Sequence, residues 1–155
     1  MTYCIEGLKP EMFHAYFAMA DDELVRHNAR RITADADRGF PCRVSLEDAK
    51  AGETLILLNY TSHDVATPYR SSYAIYVREH ARQMEACIDA TPPVFEGRPI
   101  ALRGFDETGM LRDARLALPG EADLKIRALF ARDDIAYIHA HNAAHGCFSA
   151  RISRC

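Results

Sequence analysis

The sequence predicts an α+β fold: a mostly antiparallel, curled sheet or partial barrel of about seven or eight short strands with two or three helices. Three observations lead there. Short runs of strand character recur along the chain, the strongest being the consecutive Leu55, Ile56, Leu57 and Leu58. Residues 100–105 and 110–118 flank Asp106-Glu-Thr-Gly109, a glycine-bearing loop of hairpin length. Helical periodicity is short and scattered, and clearest over residues 121–132.

Taken in order, residues 2–8 alternate in part and predict a first strand. Pro10 then starts a helix, since proline suits the first helical position, with Met12, Phe13, Tyr16 and Phe17 as its apolar face. Asp21 or Asp22 caps a very short second helix reaching Val25. Residues 28–35 read as a strand with Ile32 inward. Residues 37–47 are irregular, punctuated by Gly39 and Pro41, and residues 48–52 form a turn. The buried strand at residues 53–60 follows, then a polar loop at 61–67. Residues 73–77 are a strand with Tyr73, Ile75 and Val77 on one face. Ala81, Met84 and Ile88 form a stripe that predicts a helix over 80–90. Residues 91–99 hold three of the seven prolines and read as a loop. After the hairpin, Pro119-Gly120 leads into a helix over 121–132, with acids in its first turn and Leu124, Ala128 and Leu129 on one side. A buried strand starts at Ile135, and residues 148–153 make a final edge strand. No repeat, low-complexity run or linker interrupts the chain, so one domain spans residues 1–155.

Composition bounds the function. Hydrophobic residues make up 48% and charged residues 26%, and the net charge is −3 with histidines neutral. A nucleic-acid binder's basic footprint is absent, because the arginine clusters are interleaved with acids. No apolar stretch approaches the ~20 residues of a membrane span, and the N-terminus lacks the basic start and apolar run of a secretory leader. Five cysteines (Cys4, Cys42, Cys87, Cys147 and Cys155) form no C-x-x-C pair, and an odd number fits free thiols in a cytoplasmic chain better than a disulfide framework.

The densest chemistry lies in I-A-Y-I-H-A-H-N-A-A-H-G-C, residues 135–147. His139 and His141 share a parity, so in a strand both rings project from one face. Neutral imidazole is the commonest metal ligand, and His145 or Cys147 offers a third donor after the turn at Gly146. The same pair also reads as two hydrogen-bonded residues of a polar pocket. H-x-H-x-x-x-H resembles the first half of a cupin metal motif, but a second ligand segment is required and only residues 148–155 follow Cys147. Asn142, directly after the pair, orients a ring, caps a turn or does neither. Cys42 stands between Pro41 and Arg43, where a guanidinium favours a nucleophilic thiolate; the plainer reading is a small apolar residue at a strand start. Arg70, Ser71 and Ser72 enter a strand, and an arginine there suits a carboxylate or phosphate; the plainer reading is a surface salt bridge with turn-forming serines. Phosphate-loop, dinucleotide-binding and hydrolase-elbow motifs are all missing.

Three segments together carry a resemblance. They are F-P-C-R-V-S-L-E-D-A at 40–49 running into L-I-L-L-N-Y at 55–60, P-Y-R-S-S-Y-A-I-Y-V-R at 68–78, and A-Y-I-H-A-H-N-A-A-H-G-C-F at 136–148. In that order they resemble the bacterial family of unknown function DUF1203. The resemblance implies a small single-domain bacterial protein and transfers no activity, substrate or catalytic residue. Some members have a cysteine three residues after the one matching Cys42. Here that position is Ser45, so the resemblance does not support a C-x-x-C metal or redox site in this chain.

Three functions follow as expectations. The first is a pocket for a small anionic molecule, with or without catalysis, in which Arg43, Arg70, Ser71, Ser72 and Asn142 bind and His139, His141, Cys42 and Cys147 are the catalytic candidates. It requires the Arg70 edge, the Cys42 bend and the paired imidazoles to line one hollow. The second is a metal centre using His139, His141 and His145. The third is a non-catalytic interaction protein. Neither a cofactor nor an oligomeric state is legible.

Overall fold

Runs of branched and aromatic residues broken by glycine, proline and aspartate fold into strands joined by turns. The computed structural model describes residues 1–155. Nine strands result: β1 (Tyr3–Glu6), β2 (Ala29–Thr33), β3 (Thr54–His63), β4 (Ser71–Arg78), β5 (Cys87–Ile88), β6 (Ile100–Phe105), β7 (Leu111–Ala117), β8 (Tyr137–Asn142) and β9 (Phe148–Arg154). Three helices accompany them: α1 (His14–Phe17), α2 (Asp21–Arg26) and α3 (Ala122–Phe130), with 3-10 turns at Pro10–Met12 and Pro93–Phe95. No helix is long and apolar enough to cross a membrane.

The strands form two open antiparallel sheets in place of one curled sheet or partial barrel. One has six strands in the order β5-β1-β9-β8-β6-β7 and the other three in the order β2-β3-β4. Alternation along β8 sorts its side chains between two cores. Ile138 and Ala140 join Ile5, Leu102 and Ile152 under Ile126 and Leu129 of α3. The opposite parity, Tyr137, His139 and His141, faces the three-stranded sheet, where His63 of β3 lies 4.9 Å from His139 between ring centroids. Phe148 belongs to that second core, with Cys42, Val44, Ile56, Leu58, Ile75 and Val77.

Several expectations change. Residues 80–90 are not helical: Met84 and Ala81 pack against different cores, and Ile88 is exposed in the two-residue β5. The short apolar stripe was too brief to nucleate a helix against these separate demands. The last strand is not at an edge, because β9 lies between β1 and β8. On α3 the inward face is Ala122, Ile126, Leu129 and Phe130, while Leu124 is exposed. Met12 is likewise exposed, leaving Phe13 as the buried anchor of its turn. Cys4 and Cys155 form a disulfide with Cα atoms 5.7 Å apart, so only Cys42, Cys87 and Cys147 are free thiols. The register of β1 on β9 brings the pair together, a juxtaposition that sequence spacing does not encode.

Candidate functional site

The irregular segment after Gly39 is pinned on both sides by backbone. Cys42 bridges to Tyr76, the Arg43 amide donates to the Tyr76 carbonyl at 3.0 Å, and the Arg43 carbonyl accepts from the Leu8 amide at 2.8 Å. Cys42, Val44 and Leu46 are fully buried. The Cys42 sulfur accepts from the Arg78 amide at 3.3 Å, so it serves as a core residue closed to solvent.

The facing wall is the β8–β9 turn. The Asn142 side-chain oxygen accepts from the amides of Ala144 and His145 at 3.2 and 3.4 Å, so it caps the turn. Gly146 takes a φ of 81°, a conformation glycine adopts without strain. Beyond it the register slips. His141 pairs with Phe148 and Ala140 with Ala150, leaving Ser149 as the extra residue of a bulge. Such a bulge re-aims a side chain. Here the Ser149 hydroxyl accepts from Arg43 Nη1 at 3.1 Å.

Arg43 is the centre of the site. Its side chain crosses from the pinned segment to the turn, donating to Ser149 and, through Nη2, to the Cys147 sulfur at 3.2 Å. The residue is 2% exposed, takes part in no carboxylate ion pair, and its Nε has no hydrogen-bond partner. Burial pulls the guanidinium below its ordinary pKa, and the contact with Cys147 acts the other way. Arg43 opens onto a hollow of about 300 Å³, with Tyr73, Arg98, Asn142, His145 and Cys147 among its walls. Arg98 is already neutralised, gripping both oxygens of Asp48 at 2.8 and 3.0 Å.

The paired imidazoles occupy a different place, between the sheets. His139 is enclosed by Phe105, Tyr137, Phe148 and His63, and its Nδ1 has no partner. Burial, then the neighbouring His63 and His141, push its pKa down to about 3. Burial lowers His141 to about 4, partly opposed by the Gly146 carbonyl that accepts from its Nδ1 at 3.0 Å. Both rings are therefore neutral near pH 7 and are poor proton shuttles there. His63, absent from the sequence reading, donates from Nδ1 to the Tyr69 carbonyl at 2.9 Å; in the neutral ring, its Nε2 accepts from the Tyr137 hydroxyl at 2.8 Å.

Of the expected residues, Arg43, Asn142 and Cys147 meet in the hollow, with His145 on its rim. Arg70 does not join them: it is 60% exposed and paired with Asp64 at 2.9 Å. Ser71 and Ser72 pair along β4 with His63 and Thr61 and line no part of the hollow. No three His, Cys, Asp or Glu side chains are arranged to hold a metal ion, and His145 is exposed whereas His139 and His141 are buried. Ser149, Arg98 and Tyr73 went unseen as site residues. The first needed the bulge, and the others carry no local signature.

A family model matches residues 39–154. The chain belongs to the DUF1203 family of proteins of unknown function. No curated protein and no solved structure matches it. The DUF1203 span begins at Gly39, itself on the wall of the hollow, and contains every residue lining it. β1, α1, α2 and β2 lie outside that span.

Proposed function

We propose that this DUF1203 protein binds a small molecule carrying a carboxylate or phosphate in the hollow at Arg43. One observation carries the reading: a buried guanidinium, facing a cavity, with no carboxylate to neutralise it. Leaving a charge buried and unpaired costs several kcal/mol, by roughly the measure of broken buried ion pairs. A fold keeps such a group where an incoming anion completes the pairing. Leu57 and Ile75, with the rings of Tyr73 and Tyr76, supply apolar wall for the ligand's body. His139 and His141 stay outside this reading, as neutral rings of the inter-sheet core.

Titration with inorganic phosphate and with benzoate, followed by amide NMR, tests it. Saturable shifts at Arg43, Asn142 and Cys147 are expected, and Arg43→Met abolishes them. Shifts that fail to saturate, or that spread evenly over exposed arginines such as Arg70, would overturn it.

A further inference from the structure

Cys147 stands where the binding reading has no use for a thiol. It is half-buried, lines the hollow, and accepts a hydrogen bond from the unpaired guanidinium of Arg43. The other free thiols differ. Cys42 is fully buried with its sulfur on the Arg78 amide, and Cys87 sits on the short β5 against the first core with no charged partner. Two independent features therefore coincide at one place: a thiol that reaches a cavity, and a cation, itself almost entirely buried and with an idle donor, opening onto that cavity.

We propose that Cys147 is a nucleophilic thiol that forms mixed disulfides with small disulfides bearing a carboxylate, Arg43 lying beside both the sulfur and the carboxylate. The inference rests on the anion-binding reading of the hollow. The attacking species in such exchange is the thiolate, and negative charge on the Cys147 sulfur is met by the guanidinium already bonded to it. The thiol proton goes to solvent. The Cys147 sulfur attacks one sulfur of the small disulfide, a new S–S bond forms, and the old one breaks. The departing half leaves with the electron pair as a thiolate. Cys147 is oxidised and the released half reduced, so no other oxidant is needed. The reagent's carboxylate occupies the anion position that the guanidinium and the tyrosine-lined wall define.

Two aromatic disulfides test the idea on the native chain: 5,5'-dithiobis(2-nitrobenzoate), which carries carboxylates, and uncharged 2,2'-dithiodipyridine. Peptide mass mapping assigns the rate at each cysteine, with Cys87 as the internal reference. The expected result is a preference at Cys147 for the carboxylate reagent, relative to Cys87, of about tenfold or more. Inorganic phosphate slows Cys147 and leaves Cys87 alone, and Arg43→Met removes the preference. If Cys147 reacts no faster than Cys87 with either reagent while phosphate still shifts the Arg43 and Asn142 amides, the thiol inference fails and the binding site stands. If Cys147 reacts without preference and phosphate neither protects it nor shifts those amides, both readings fail. The phosphate arm needs no substitution, so a poorly folding variant does not block the decision.

Discussion

Arg43 Nη2 donates to the Cys147 sulfur at 3.2 Å across 104 positions of sequence. That contact and the neighbouring bond to Ser149 are the guanidinium's only polar partners. The pairing joins the most irregular segment of the chain to the turn after its most histidine-rich strand, and the hollow opens beside it.

An arginine retained for binding differs from one retained for stability. Arg43→Met removes a buried unpaired charge and loses two hydrogen bonds, each with a net value of about 1 kcal/mol. The variant should unfold in urea with a stability within about 1 kcal/mol of the parent. A loss of roughly 3 kcal/mol or more, the size expected for breaking a buried charge pair, would make Arg43 a structural residue.

The inter-sheet histidines set an acid sensitivity. Well above pH 6.5 both rings are neutral, folded or unfolded, and contribute nothing to the pH dependence. Below it the unfolded chain takes up protons that the folded chain refuses until about pH 4 at His141 and about pH 3 at His139. Stability therefore falls as pH drops through that window, by roughly 1.4 kcal/mol per pH unit for each ring, and levels off below it. His63, His141, Arg151 and Arg103 all oppose protonation of His139 when they carry charge. Thermal melts from pH 7 to pH 4 should show the decline, and His139→Leu should cut the slope by about half. An unchanged slope in that variant would place the proton uptake elsewhere.

The Cys4–Cys155 disulfide ties β1 to the residue after β9, over a separation of 151 positions. Closing so long a loop restricts the unfolded chain most, and reduction should cost roughly 2–4 kcal/mol. Melting with and without dithiothreitol checks this. The parent should lose several degrees in Tm, and Cys4→Ser should start lower and ignore the reductant. A parent insensitive to reductant would mean that the bridge does not support the fold.

Much of the architecture is legible locally, because strand alternation and turn chemistry are properties of neighbouring residues. The β6–β7 hairpin, the long β3, and the shared face of His139 and His141 on β8 all follow from residue order alone. So did the family, through three segments inside the matched span. What residue order left open is which distant pieces meet. Arg43 and Arg70 look alike in sequence, yet one is buried against Cys147 and the other pairs with Asp64 in solvent. The bulge at Ser149, the placement of β9 between β1 and β8, and the Cys4–Cys155 juxtaposition are decided by the packing of two sheets over two cores. Those contacts depend on apolar area buried between segments far apart in the chain, a quantity no local window contains.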